Sequence, residues 1–406
     1  MNTAEPTKLV TFKLKFTYPI FGDSEQIFGY QGLRIDLAFD CESLKPLLTY
    51  KYEEKLSDDI KKIEDTMDEF LPTGDYILKS ESQWLDSIDE EKFSLSHENL
   101  IDTYEGEKGE SKGKKYEIYK FEGLDKEDSV GRKLILRSQI LSLLYIEAGS
   151  FIDLSDPRWS AYFIYERERD DSEKGTFVGF CTVYKYWNFQ NSQVHDSTDV
   201  AELKYRGRIS QVVILPPFQG MGHGRKMYEK VVSEWIRDEK CTEITVEDPN
   251  EEFDELRDRC DLTRLLELGH YKTLADSELL ADEKVMEKTR KELKMTKRQF
   301  ARVVEMALFW LLEHKGPQGQ AQGGDGDLKI TEKTIRLRVK RRVYEQNRDG
   351  LEGMDPSEVK SKLEEVYRRV KDGYLAEGGH VHGVFPGGLL ETELIRKRKR
   401  EIENCS

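Results

Sequence analysis

Apolar and polar positions alternate in Leu9–Val10–Thr11–Phe12–Lys13–Leu14–Lys15–Phe16, again in Leu33–Arg34–Ile35–Asp36–Leu37, and again from Tyr116 to Phe121. A period of two is that of a half-buried strand, so each of these segments predicts one. The stretch between Glu105 and Lys115 (EGEKGESKGKK) has no such period and reads as an exposed loop. From Leu134 the period lengthens. Ile135, Ile140, Leu143, Leu144 and Ile146 form a helical stripe that ends at Glu147–Ala148–Gly149. Strand-like runs follow at Trp159–Tyr165, Phe177–Tyr186, Ile209–Leu215 and Glu243–Val246. A helix from Gly224 to Arg237, with Met227, Val231 and Trp235 on one side, joins the last two. Beyond residue 271 the chain predicts helix almost throughout. Thr296 and Gln299 suit a capping box. Behind them Phe300, Val303, Val304, Ala307, Leu308 and Leu311 make an apolar stripe of helical period. The expected fold class is α/β (α+β): a mixed segment over 1–133, an α/β domain over 134–270 and a helical domain over 271–406. Gly316 to Gly326 reads as a flexible Gly/Gln loop.

Composition narrows the function. Of the 406 residues 37% are hydrophobic and 35% charged, enough apolar content for globular domains joined by solvated stretches. The net charge of −15 speaks against a general nucleic-acid binder and suits either a cationic partner or simple solubility. Arg396–Lys397–Arg398–Lys399–Arg400 is a solvated helix end or a nuclear-import signal. Cys41, Cys181, Cys241, Cys260 and Cys405 include no CxxC pair and are odd in number, so neither a disulfide framework nor a metal site is expected. The first residues lack the apolar core of a signal peptide, and no window reaches the roughly 18 apolar residues of a membrane span. A reduced intracellular compartment is the expectation, and no membrane partner.

The chemistry concentrates in Gln211-Val-Val-Ile-Leu-Pro-Pro-Phe-Gln219-Gly220-Met221-Gly222-His223-Gly224-Arg225-Lys226, a strand, a glycine loop and a helix start. Glycine lets main chain approach a phosphate closely, and helix-start amides carry partial positive charge. Arg225 and Lys226 add full charges. A dinucleotide fingerprint would need its third glycine where Arg225 stands, and the Gly-Lys-Ser/Thr ending of a P-loop is absent. What stands is Q-x-x-G-x-G at Gln219, Gly222 and Gly224, which resembles the coenzyme-A pyrophosphate loop of the GNAT N-acetyltransferase superfamily.

Three further segments carry a narrower resemblance. They are Val246-Glu247-Asp248-Pro249-Asn250 with Phe253 and Leu256-Arg257-Asp258; Ile146-Glu147 through Phe151-Ile152-Asp153 before Arg158-Trp159; and Phe28-Gly29-Tyr30-Gln31-Gly32-Leu33. With the loop, these resemble the type B histone acetyltransferase catalytic subunits, fungal ones above all, over about residues 10 to 300. The resemblance implies transfer of acetyl from acetyl-CoA to lysines in the N-terminal tail of free, newly made histone H-four. It also implies work beside histone H-three and a WD40-repeat histone chaperone subunit, in cytoplasm and nucleus. It places the main chain of Val212, Val213 and Ile214 along the pantetheine arm, Gln219, Gly220, Met221, Gly222, His223, Gly224 and Arg225 at the pyrophosphate, and Asn250 on the cofactor. Asp23, Glu25, Tyr184, Lys185 and Tyr186 would line the histone groove. No metal is implied.

Residue chemistry supplies the catalytic candidates. A lysine side chain, with a pKa of about 10.4, must lose a proton before it can attack, and a general base typically contributes on the order of 10² to 10⁴ in rate. Of seven histidines only His223 lies near the loop, and it reads as a loop residue. Carboxylates remain. Glu247 is the preferred base, directly or through water. Asp248 either assists or caps the next helix, and Glu147 is a third candidate. Adjacent strand residues face opposite ways unless the strand bends, which Pro249 would favour. Cys181, Cys241 and Cys260 have no evident histidine partner, so direct attack is expected rather than an acetyl-enzyme. Two other readings stand beside this one: a small-amine or protein N-terminal acetyltransferase, and an inactive histone-binding scaffold.

Overall fold

The structure, a computed structural model, describes residues 11–14, 18–24, 26–78, 80–167, 175–189, 191–199, 202–315 and 330–375. Its strands in chain order are β1 (Tyr30–Gln31), β2 (Arg34–Phe39), β3 (Pro46–Lys51), β4 (Glu54–Lys55), β5 (Ile77–Leu78), β6 (Leu100–Glu105), β7 (Lys115–Phe121), β8 (Trp159–Arg167), β9 (Gly175–Trp187), β10 (Tyr205–Ile214) and β11 (Cys241–Val246). The described residues fall into two compact units, one drawn from 1–187 and 207–230, the other from 188–206 and 231–406.

The first unit is built on a sheet in the order β10-β9-β8-β7-β6. β8 is antiparallel to both neighbours, with Trp159 opposite Tyr184 and Ile118 opposite Ile164. Its first seven residues, WSAYFIY, are all buried, so it reads as a continuous apolar run rather than an alternating one. β10 keeps the alternation: Ile209, Gln211 and Val213 are buried, while Arg208, Ser210, Val212 and Ile214 are half-buried. Gly179 of β9 permits that pairing, because a Cβ there would lie 2.2 Å from the Val213 carbonyl oxygen.

Helices Val130–Ser138 and Ile140–Tyr145 realise the apolar stripe and pack Leu134, Ile135 and Leu141 with Phe163, Phe177 and Phe180. Ser129 caps the first of them through Arg132 N–H at 3.1 Å. Arg137 in this layer is fully buried yet completely partnered, by Asp75 at 2.6 and 2.9 Å, Glu91 at 2.7 Å and the Ser43 carbonyl at 2.8 Å. A buried cation is tolerated only when so satisfied. A smaller sheet, β2-β3-β5, and the β1–β4 pair complete the unit. The strand expected near residues 9–16 is not there in the described part: Thr11 to Leu14 form no regular element. Alternation marks a face but supplies no partner strand.

In the second unit Thr242 of β11 donates its hydroxyl to the Tyr205 carbonyl at 3.0 Å, beside the start of β10. Helices Glu251–Glu267, Lys297–Lys315, Glu332–Gln346 and Pro356–Leu375 carry the core. Leu262, Leu266, Val303, Val304, Leu308 and Val339 meet there. Glu305 of helix Lys297–Lys315 is wholly buried and held by Arg342 through two 2.8 Å bonds. The capping box forms by half. Thr296 accepts from Gln299 N–H at 3.2 Å, but the Gln299 amide turns to Asp258 at 2.9 Å and Asp261 at 3.0 Å instead of back to Thr296. Two buried carboxylates outweigh one half-buried backbone N–H. The Gly316–Gly326 loop and the Arg396–Arg400 run lie outside the described residues.

Candidate active site

In the first unit β10 ends at Ile214, a short 3-10 turn spans Pro216–Phe218, and a helix begins at His223. Gln219 staples this loop, its amide donating to the Ile214 carbonyl at 2.7 Å. The Gln219 side chain therefore shapes the loop, and the Ile214 carbonyl is already engaged. Gly220 has φ +74° and Gly222 φ +96°, the region L side chains avoid, and an ideal Cβ at either would meet no protein atom within 4 Å. Space is open above both glycines.

The helix is bare at its start. Gly222 accepts the first helical bond, from Lys226 N–H at 3.1 Å, and offers no side chain to the first-turn amides. No acidic residue stands in that turn. Such a start favours an anion. The glycines, the open space and the adjoining Arg225 and Lys226 fit the diphosphate of acetyl-CoA.

The remaining loop residues divide by burial. Val213 is buried in the core beside Phe177 and Phe180, so only its main chain can face a ligand, whereas Val212 and Ile214 are half-buried. Met221 and Gly224 are half-buried and Arg225 is exposed. His223 points inward: its ring lies 4.4 Å from that of Tyr116, and Nδ1 is 2.7 Å from the Tyr104 hydroxyl. Its Nε2 is buried without a hydrogen-bond partner. Burial pushes the His223 pKa down to about 4, against a smaller opposing pull from Glu166, so the ring is neutral at pH 7. His223 can serve a ligand through its main chain only, and it is no base.

Among the residues expected in the histone groove, Asp23 is exposed in a turn and Glu25 lies outside the described residues. Tyr184 is partly committed: its hydroxyl donates to Asp156 at 2.9 Å, and the Arg158 guanidinium lies 4.8 Å from its ring centre. The Arg158 hydrogen bonds hold the Asp156 carboxyl down at about 2. Lys185 pairs with Glu122 at 3.4 Å, and Tyr186 is half-buried. Glu147 is exposed in the turn after helix Ile140–Tyr145, where Ala148 has φ +57°.

In the second unit β11 stops at Val246 and the chain bends through Glu247 and Asp248, both exposed. Asp248 has φ +33°, so the two carboxylates no longer follow strand alternation. The capping alternative for Asp248 is overturned. Asn250 is the cap of helix Glu251–Glu267, accepting from Phe253 N–H at 2.8 Å. The Asn250 carboxamide oxygen is thus spent on the helix, and only its NH₂ remains for a cofactor.

Sequence reading missed several supports. Gln211 is buried between Thr182, whose hydroxyl donates to it at 3.1 Å, and the Ser150 carbonyl, which it reaches at 2.6 Å. It ties the turn that bears Glu147 to β10. A buried glutamine at an inward strand position was the available signal. Glu107 contacts both loop cations, Arg225 at 2.9 Å and Lys226 at 3.0 Å. The Lys226 bond, then the positive charges of Arg225, Lys226 and Lys108, hold its carboxyl below the usual range. Among the described residues no group of three or more His, Cys, Asp or Glu is placed to hold a metal ion.

Comparison with known proteins places the sequence in a family. The family described as "Histone acetyl transferase HAT1 N-terminus" matches residues 1–147, "Acetyltransferase (GNAT) family" matches 139–254, and "Fungal HAT1, C-terminal" matches 258–313. A histone acetyltransferase type B catalytic subunit from Candida albicans is 41% identical over 378 residues, covering 91% of this chain and 85% of its own length. That of Kluyveromyces lactis is 38% identical, with 92% and 88% covered, and that of Schizosaccharomyces pombe 35%, with 88% and 84%. Among solved structures, an acetyl-CoA complex of a mutant AtaT toxin aligns over 34% of this chain and 78% of its own, at 14% identity and a TM-score of 0.20, too low to bear on the fold. The bare glycine helix start, the GNAT match and relatives spanning nine-tenths of the sequence converge: the chain is an acetyl-CoA-dependent acetyltransferase and belongs to the family of histone acetyltransferase type B catalytic subunits.

Proposed function

We propose that the chain acetylates lysines in the N-terminal tail of free, newly synthesised histone H-four. In this reading it acts in cytoplasm and nucleus, on H-four accompanied by H-three and alongside a WD40-repeat chaperone subunit. The observation that carries the reading is the conjunction of the diphosphate-fitting loop with relatives named for this activity over nine-tenths of the chain. The acidic balance of −15 suits a Lys/Arg-rich acceptor, whose capture should weaken with salt.

The mechanism follows from the groups available. Lysine arrives protonated and must be deprotonated at Nζ. Glu247, exposed at the bend after β11, is the proposed general base, directly or through one water, with Asp248 and Glu147 as the other carboxylates that could take the proton. The freed amine attacks the thioester carbonyl, and CoA leaves as the thiol. An acetyl-cysteine detour has little support. Cys181, Cys241 and Cys260 are buried, and burial pushes the Cys181 thiol far up; it also raises the exposed Cys41, where Asp40 adds to the effect.

The test is transfer from labelled acetyl-CoA to an H-four tail peptide by the intact chain, Glu247→Gln and Glu147→Gln. The expected result is transfer by the intact chain and a loss of roughly 10²-fold or more in kcat only for Glu247→Gln. A Glu247→Gln enzyme with full activity moves the base to Glu147 or Asp248. Cofactor binding with no transfer to the peptide, or preferential transfer to a small amine, overturns the acceptor.

A further inference from the structure

The segment between β6 and β7 reads in sequence as a solvated charge run, but it is a built turn. Gly106 N–H donates to the Lys114 carbonyl at 2.9 Å and Gly113 N–H to the Gly106 carbonyl at 3.0 Å. Ser111 is buried, its hydroxyl bonded to the Lys108 carbonyl at 2.6 Å. Gly106 sits so close to Ser111 that a Cβ would come within 2.1 Å of its carbonyl oxygen. This turn lies against the phosphate loop: a Cβ on Gly109 would stand 3.8 Å from Met221 Cγ. It presents Glu107 to Arg225 and Lys226, 118 residues away in sequence from the first of these.

We propose that Glu107 is an internal competitor of the coenzyme phosphates, occupying Arg225 and Lys226 until a phosphate of acetyl-CoA or CoA takes them over. The proposal rests on the reading of the glycine loop as the diphosphate site. Its logic is charge balance. Two cations flank a helix start with no acid in its first turn, and Glu107 is the carboxylate nearest to both, Glu229 reaching Arg225 only at 4.0 Å. The Glu107 and Arg225 side chains are each about half exposed, 51% and 44%, so the ion pair is weak and exchangeable rather than a permanent tie. A phosphate that binds must displace Glu107 or sit beside it. Glu107 therefore lowers affinity for both substrate and product, and hastens CoA release at the end of each cycle.

The experiment is direct binding of CoA and of dephospho-CoA by calorimetry at low salt, with the full chain, Glu107→Gln, Glu105→Gln and Arg225→Gln. Glu105 is an exposed carboxylate two residues away, so its variant makes the same charge change without the contact. The expected result is a CoA Kd about 3- to 10-fold lower in Glu107→Gln, within the range that loss of its two pairs, to Arg225 and to Lys226, allows. The change in Glu105→Gln should be under about twofold, and the Glu107→Gln gain should shrink at 0.5 M salt. Dephospho-CoA locates the competing group: an equal gain points to the diphosphate, a smaller one to the terminal phosphate, and either supports the proposal. Unchanged or weaker CoA binding in Glu107→Gln overturns it, the latter by making Glu107 an organiser of the cations. If Arg225→Gln weakens CoA while Glu107→Gln does nothing, the site reading stands and this proposal alone fails. If CoA ignores Arg225→Gln as well, the reading of the loop falls with it.

Discussion

The helices His223–Arg237 and Glu251–Glu267 begin in opposite ways. The second is sealed by its own sequence: Asn250 caps it, and Glu251, Glu252 and Asp254 in the first turn answer the partial positive charge of the amides. The first begins at Gly222, with His223 turned inward, Arg225 and Lys226 beside it, and no acid in the first turn. One end is complete within its own sequence, and the other leaves its first-turn amides without a local acid or cap. The carboxylate that lies closest to the cations of the bare end, Glu107, comes from a distant turn, while Glu229 of the same helix reaches Arg225 only at 4.0 Å. What distinguishes a binding helix start from a structural one is the absence of local compensation rather than the presence of glycine.

Three changes put that contrast under strain. The largest effect is expected from pH. His223 is depressed to about 4 in the folded chain against an ordinary value of about 6.5, so the unfolded chain binds more protons between those values. Its contribution is present above pH 6.5 and is lost as pH falls towards 4, by up to about 3 kcal/mol. Melting curves across this window should show a steeper fall for the intact chain than for His223→Asn; parallel falls would remove the buried neutral histidine from the account. Next comes Gly222→Ala. At φ +96° the substitution costs roughly 1–2 kcal/mol in stability and should raise the acetyl-CoA Kd by about tenfold. An unaltered Kd would show that the loop does not carry the diphosphate. The smallest is Asn250→Ala, worth about 1 kcal/mol in denaturant unfolding through loss of the cap. Unfolding unchanged by the substitution would break the comparison, because the second helix start would then owe nothing to its own cap.

The central strands were legible because each carries its period and its punctuation. β7 to β10 and the helix after the glycine loop fall within a few residues of the segments read from pattern alone. The glycine loop was legible as a strand–loop–helix unit because its glycines and flanking cations are consecutive in the chain. What escaped was everything that needs a partner far along the chain. The short strands β1, β4 and β5 have too few residues to show a period, and the 9–16 alternation had no strand to pair with in the part described. Gln211 was quoted within the loop segment, but its bond to the Ser150 carbonyl spans 61 residues, and the Glu107 contact with Arg225 spans 118. Asp248 was weighed as a cap because Asp before a helix is a common one. The structure gives that work to Asn250 two residues on, since a φ of +33° at Asp248 moves the helix start past Pro249.

The account turns on direct transfer of acetyl from the coenzyme to a lysine, and initial velocities with acetyl-CoA and H-four tail peptide both varied test it most directly. Intersecting double-reciprocal lines, with no acetyl group retained on the protein after acetyl-CoA alone, are the predicted result. Parallel lines, with a labelled acetyl group trapped on a cysteine, would contradict it.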